Sequence, residues 1–288
     1  FNFVLPGYLL SYSAFLRRYQ DGTDAEDLRR RISPFLMRRL KKEVLTELPD
    51  KIESVFTAQM SPEQAKVYEA TMMRLRQRVD SIVKEKGFER GRTEVLAAIT
   101  QLREICCHPS LVLDDYTGTS GKLDMLLDML PEAIAKGRRV LLFSAFTSML
   151  KILRRELDDA GYETMYLDGD TPAQRRVEMA EQFNAGQGQI FLISLKAGGT
   201  GLNLTGADMV IHYDPWWNPA AEDQATDRAY RIGQTRKVEV IRLVTHASIE
   251  EQVVALGQRK KALFDQLIKP GESMVGGLSP QEIMSLFQ

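Results

Sequence analysis

Three short stretches of this chain carry residue types able to handle phosphate. The first is Ser194-Leu-Lys-Ala-Gly-Gly-Thr-Gly-Leu-Asn-Leu-Thr205, which directly follows the apolar run Gln189–Ser194. Glycines at 198, 199 and 201 let backbone N–H groups approach an anion, and Lys196 adds a point charge. A tight turn is the plainer use of such a loop. The second stretch is Gln224-Ala-Thr-Asp-Arg-Ala-Tyr-Arg231. On a helix, Gln224, Arg228 and Arg231 would share one face, and guanidinium forks match phosphate oxygens. The competing use is a surface ion-pair network with Asp223 and Asp227. The third is His212-Tyr-Asp-Pro-Trp-Trp-Asn-Pro219, where Trp216 and Trp217 either pack or wedge against nucleic acid.

Other chemistry is excluded by spacing. Gly118-Thr-Ser-Gly121-Lys122 imitates a phosphate loop, but G-x-x-x-x-G-K-[ST] requires glycine at Tyr116 and Ser or Thr at Leu123. No other stretch fits, and no Asp-Glu pair ends a strand to hold magnesium. His108, His212 and His246 are scattered, in no Ser/His/Asp or Cys/His arrangement, and are expected to be structural. Cys106 and Cys107 are adjacent and are the only cysteines, so neither a zinc spacing nor a disulfide framework exists.

The elements that would position these residues follow from periodicity. Strands are expected at Arg139–Ser144, Glu163–Leu167, Gln189–Ser194, Met209–Tyr213 and Val238–Val244. Helices are expected at Lys122–Lys136, Met149–Ala160, Pro172–Asn184 and Ser248–Leu267. Alternating strands and helices imply a parallel α/β sheet with right-handed crossovers, and short continuous apolar strands suit a sheet covered on both faces. In such a sheet, ligands sit beyond the C-terminal strand ends, where the glycine loop falls. Residues 1–115 read as mostly helical. Ser33-Pro34 signals a helix over Phe35–Val44, Ile52–Met60 alternates as a strand, and Ser61-Pro62 opens a long helix with a stripe of Tyr68, Met72, Leu75, Val79 and Ile82. Gly87 and Gly91 bracket a turn before a helix over Val95–Cys107. The polar stretch 111–121 suggests a boundary, giving 1–115 as a helical region, 116–268 as the α/β domain and 269–288 as a flexible joint with a last short helix.

The net charge is −1, which argues neither for nor against nucleic acid. Its distribution says more: 19 Lys+Arg face 15 Asp+Glu in residues 1–110, against 19 and 24 afterwards. The basic excess is either a solvated helix surface or a phosphate-facing patch. Apolar runs such as Val140–Phe143 are far shorter than a membrane span. The chain opens on Phe1, and it is expected to be part of a longer protein.

Taken in order, SPFLMRRLKKEV (33–44), LREICCHPSLV (102–112), RVLLFSAFTSML (139–150), LDGDTPAQRR (167–176), SLKAGGTGLNLTGADMVIHYDPWWNP (194–219) and DQATDRAYRIGQTRKV (223–238) resemble the second motor lobe of Swi/Snf-type ATPases, superfamily 2 DNA translocases. The resemblance covers nearly the whole chain. It implies a RecA-like lobe with a helical insertion region near its N-terminus. It also implies that ATP and Mg2+ bind between two lobes, with the phosphate lysine and the metal acid on the preceding lobe. Arg228 and Arg231 then match the arginine fingers. Gly199, Gly201 and Gln224 match nucleotide-facing positions. Ser144, Thr147, Gly169, Thr171, Lys196, Ala197, Gly198 and Trp217 match positions facing double-stranded DNA. Two departures are visible: Ala145 where glutamine is common, and Tyr230 where histidine is common. The expected partners are duplex DNA and the N-terminal motor lobe of the same protein, with no membrane and no metal ligand on this chain. The expected setting is a bacterial cytoplasm, at the nucleoid, or a nucleus if the source is eukaryotic. An RNA-helicase lobe is the nearest alternative, although its final motif runs His-Arg-x-Gly-Arg where this chain has Tyr-Arg-Ile-Gly-Gln (230–234). A non-catalytic nucleic-acid-binding module is the other.

Overall fold

The computed structural model describes residues 1, 3–19, 24–35, 48–198, 201–267 and 286. Its contacts divide the chain into two compact units: residues 1–46 with 259–275, and residues 47–258 with 276–288. The first unit contains α1 (Tyr12–Tyr19), α2 (Ala25–Ile32) and a 3-10 turn at Ser33–Phe35. Asp27 organises it, accepting from Tyr19 Oη at 2.8 Å and Arg31 Nε at 2.9 Å. Ser33, expected to cap a new helix over Phe35–Val44, instead closes α2, its Oγ donating to Arg30 O at 3.3 Å. Residues 36–44 lie outside the described residues, as do 269–288, the expected joint and final helix, apart from Leu286.

The second unit is built on six parallel strands in the order β1-β6-β5-β2-β4-β3. These are β1 (Lys51–Ala58), β2 (Val140–Ser144), β3 (Thr164–Leu167), β4 (Ile190–Ser194), β5 (Met209–His212) and β6 (Val238–Thr245). Every residue of β2, β4 and β5 is buried, as a largely apolar strand with helices on both faces requires. The expected α/β sheet is therefore present, with strand ends moved by a residue or so. One strand has a wider role than its local pattern suggested: β1, from the segment read as mainly helical, pairs with β6 and forms an edge of the same sheet.

Two long helices follow β1, α3 (Pro62–Lys86) and α4 (Phe88–Cys107). Ser61 caps α3 through a reciprocal box with Gln64. The expected turn between Gly87 and Gly91 is shorter than that spacing suggested. Helix α4 already starts at Phe88, and only Gly87 takes a positive φ, +74°. Gly91 serves the packing instead, because a Cβ there would run into Ile82. Helix α5 (Gly121–Ala135) precedes β2, α6 (Thr147–Asp159) follows it, and α7 (Ala173–Asn184) follows β3. A single helical turn, α8 (Leu195–Gly198), follows β4. Then α9 (Pro219–Thr226) follows β5, and α10 (Ile249–Leu267) follows β6.

The helices sort onto the two faces of the sheet. One face packs α5 and α6 through Leu123, Leu126, Leu130, Met149, Leu150 and Leu153. The other packs α7 and the chain from Leu202 to Tyr230. Connections leaving β2 go to the first face, and those leaving β4 and β5 go to the second. The end of β2 is thus a topological switch point, where a crevice opens beyond the strand ends.

The Gly121-Lys122 pair that imitates a phosphate loop turns out to be packing. A Cβ on Gly121 would overlap the carbonyl oxygen of Gln59 at the end of β1. Lys122 is 1% exposed, and its Nζ donates to Glu250 Oε1 at 2.7 Å and to Tyr213 O at 3.0 Å. Breaking such a pair from one side leaves a buried charge alone, at a cost of about 3–5 kcal/mol. K122M is expected to lower unfolding free energy by roughly that amount in urea titrations. K122M/E250L, which removes both charges, is expected to recover a measurable part of it. G121A is expected to cost about 1–3 kcal/mol through overpacking against backbone.

Candidate functional site

The loops at the C-terminal ends of β3, β4, β2 and β5 lie side by side along one sheet edge. After β4, Ser194 Oγ accepts from Ala197 N at 3.3 Å and starts α8. Lys196 is exposed and Ala197 buried within it. Gly199 lies outside the described residues. Gly201 is exposed at φ +76°, a conformation that favours glycine, after which Leu202 and Leu204 turn inward to the core.

The face expected to carry Gln224, Arg228 and Arg231 on one helix is not formed. Helix α9 ends at Thr226, and 227–233 continue in turns. The chain leaves the helix because its next carbonyls are taken by tertiary partners. Leu204 N donates to Arg228 O at 2.9 Å, and buried Gln234 Nε2 donates to Ala229 O at 3.1 Å and Ala207 O at 2.7 Å. Tyr230 is drawn into the core, and Gly233 closes the segment at φ +99°. Gln224 is exposed on α9. The two arginines still end beside the glycine loop by this irregular route. Arg231 is exposed, and its Nη1 lies 3.4 Å from Gly201 O. Arg228 is mostly buried. Burial, and then the like charge of Arg231, hold its guanidinium below its ordinary pKa. Arginine remains charged there at neutral pH, so two cations lie beside a glycine loop open to solvent.

Beyond β2, Ser144 is buried rather than facing outward, and its Oγ donates to Asp214 Oδ1 at 2.5 Å. Ala145 N points at both Asp214 oxygens at 3.2 Å, and Phe146 N donates to Ser144 Oγ at 3.1 Å. These bonds set down Thr147, which is exposed at the start of α6. Beyond β5, Trp216 N donates to Glu222 Oε1 at 2.7 Å, and Asn218 caps α9. Trp216 and Trp217 are both half-buried, and both rings lie within 5.3 Å of the Arg103 guanidinium. Trp217 also packs on the helical cluster of α3 and α4. Its ring thus does structural work and keeps part of its surface exposed. Beyond β3, Arg176 donates to Thr171 O at 2.7 Å and Gly169 O at 2.9 Å, and the Thr171 hydroxyl bonds back to Asp168. Gly169 is exposed in this small turn.

Arg103 and Asp214 were not among the residues singled out by motif, although both lie within stretches quoted for the resemblance. The available signal was Arg103 on the apolar stripe of Val95, Ile99, Leu102 and Cys106, where a charge demands a partner. Among the described residues, no group of three His, Cys, Asp or Glu could hold a metal ion. No helix of the described residues is long and apolar enough to cross a membrane.

Two family models match in tandem: the SNF2-related domain over residues 1–111 and the helicase conserved C-terminal domain over 121–233. A solved C-terminal domain of the Sulfolobus solfataricus SWI2/SNF2 ATPase is 30% identical. The match covers 77% of this chain and 91% of that one, with a TM-score of 0.62. This chain belongs to the SWI2/SNF2 ATPase family. The Sulfolobus SWI2/SNF2 ATPase core in complex with dsDNA is 34% identical over 93% of this chain and 58% of that one, with a TM-score of 0.65. YwqA of Bacillus subtilis, described as an ATP-dependent helicase/translocase, is 38% identical over all of this chain. This SWI2/SNF2 chain spans about a third of the length of YwqA, 32%.

The residue joining β5 to α9 sets a pH dependence. Nε2 of His212 lies 2.9 Å from Thr226 Oγ1. Burial, and then the Arg242 charge, push the His212 pKa down to about 3. Burial also lowers His108. A histidine whose folded pKa is depressed binds its proton only after unfolding, so stability is full above about pH 6.5 and falls as pH drops toward 3. Each such group contributes a slope of up to about 1.4 kcal/mol per pH unit. H212Q is expected to flatten the curve of unfolding free energy between pH 6.5 and 5. An unchanged slope would place the proton uptake elsewhere.

Proposed function

We propose that the chain is the second motor lobe of a double-stranded-DNA-dependent ATPase that moves along duplex DNA and remodels protein–DNA complexes. The observation that carries this reading is the approach of Arg231 to Gly201 at the switch-point edge of the sheet, with Arg228 behind it. An exposed guanidinium beside a glycine loop, with a second, buried one behind it, suits the γ-phosphate of ATP. The chain has no phosphate loop of its own, so the triphosphate and its magnesium would be held by the preceding lobe of the same protein. Phosphoryl transfer depends on positioning and on stabilising charge, which a cation supplied from a second lobe provides only when the lobes close. Gly199, Gly201 and Gln224 would border the nucleotide.

On the same edge, Thr147, Lys196, Gly198, Gly169, Thr171 and Trp217 form the rim proposed to grip the DNA backbone, with the buried Ser144 and Ala197 acting from beneath. The dsDNA bound by the Sulfolobus relative supports duplex DNA as the ligand. Gripping phosphates through backbone and lysine is largely independent of sequence and weakens with salt. Opening and closing around ATP would then shift one grip relative to the other. The proposed setting is the bacterial cytoplasm, at the nucleoid, or the nucleus if the source is eukaryotic.

In the full-length protein, R231A is expected to reduce duplex-stimulated ATP turnover by about 10³-fold or more. Phosphate release assays with saturating duplex measure it, and near-normal turnover would reject the finger assignment. The 288-residue chain alone is expected to turn over ATP at background rate.

A further inference from the structure

Arg103 sits on helix α4 with 1% of its surface exposed. Its Nη2 donates to Asp214 Oδ2 at 3.2 Å and to Pro215 O at 2.7 Å. Its Nε has no hydrogen-bond partner among the described residues. Instead the guanidinium is caged by aromatic faces. Its Cζ lies 5.1 Å from the Phe146 ring centre, 5.2 Å from Trp216 and 5.3 Å from Trp217. Phe146 belongs to the loop after β2, and the two tryptophans to the loop after β5. One cation therefore touches both loops at once. Asp214, which it pairs, adds a second link to the loop after β2 through Ser144 Oγ and Ala145 N.

We propose that Arg103 is a positioning residue for the DNA-facing rim, locking the 145–147 loop and the 214–217 loop into one rigid unit. The proposal rests on reading that rim as the duplex-gripping surface. Two chemical features make arginine suited to the role. Its planar fork pairs a carboxylate and a carbonyl in one plane, and its delocalised charge stacks on aromatic faces while doing so. Lysine offers a point charge and no plate. The cage also ties the rim to the α3–α4 hairpin, so a displacement of α4 would move Thr147 and Trp217 together rather than singly.

The chain carries two tryptophans, both in the cage, so selectively excited tryptophan emission reports this locus alone. The test compares the unaltered chain with R103M/D214N, which removes both charges and so strands neither, and with R103K, which keeps the ion pair. Three quantities are measured: thermal melting, acrylamide quenching of tryptophan emission, and anisotropy of a fluorescein-labelled 30-bp duplex at low salt. Both variants are expected to melt cooperatively, to show at least twofold stronger quenching, and to bind the duplex about tenfold more weakly. R103K stands as the test if the double variant fails to melt as one unit. A role confined to stability predicts indoles as shielded as in the unaltered chain once the variant is folded. Unchanged quenching in a folded variant would overturn the positioning role whatever the duplex result. Wild-type duplex affinity alongside stronger quenching would overturn the claim that the lock serves DNA binding. Failure of the unaltered chain to bind duplex at all would instead overturn the functional reading on which the proposal rests.

Discussion

Two cations with almost no access to water hold the segment that leaves β5. Lys122 bonds the carbonyl of Tyr213, and Arg103 pairs the carboxylate of Asp214 one residue later. A buried charge left without its partner costs several kcal/mol, whereas a pair replaced by apolar groups of like volume is often neutral. The gain from such pairs is accordingly a unique arrangement rather than raw stability. The placement of the 213–217 segment satisfies both cations together. The strand end, the aspartate and both tryptophans are set by that condition.

From this fixed segment the rest of the edge follows. Asp214 holds Ser144 and the backbone of Ala145, which orients the start of α6. Glu222 accepts from Trp216 N and pairs Arg242 of β6, tying α9 to the sheet. The glycine loop is held separately. Leu204 N bonds Arg228 O, and Gln234 bonds the carbonyls of Thr205, Ala207 and Ala229. The glycine loop and the loops after β2 and β5 thus have distinct supports on one sheet. That division suits the proposed motor, in which one loop would respond to phosphate while its neighbours keep their grip.

The irregular path of residues 227–233 shows how tertiary demand overrides a helical pattern. Gln224, Arg228 and Arg231 are spaced for one helix face, and nothing local forbids that helix. Two competing hydrogen bonds, from Leu204 N to Arg228 O and from Gln234 Nε2 to Ala229 O, together with the burial of Tyr230, outweigh the extra turn. The arginines reach the glycine loop all the same, since the loop itself bonds the displaced backbone.

The amino-acid pattern alone determined the sheet. Runs such as VLLFS, IFLIS and MVIH must be covered on both faces, and the helices between them leave a parallel order as the natural solution. It also determined where the glycine loop and the tryptophans would fall, because a strand followed by glycines puts the loop at the ligand-bearing edge. It did not reveal that β1 joins the same sheet, since pairing with β6 links residues nearly 190 positions apart. Nor could it pair Arg103 with Asp214, or Lys122 with Glu250, which are 111 and 128 residues apart. A charge on an apolar stripe announces that a partner exists. Which partner is chosen depends on which strand ends the folded sheet brings within a few ångströms, and only the tertiary structure decides that.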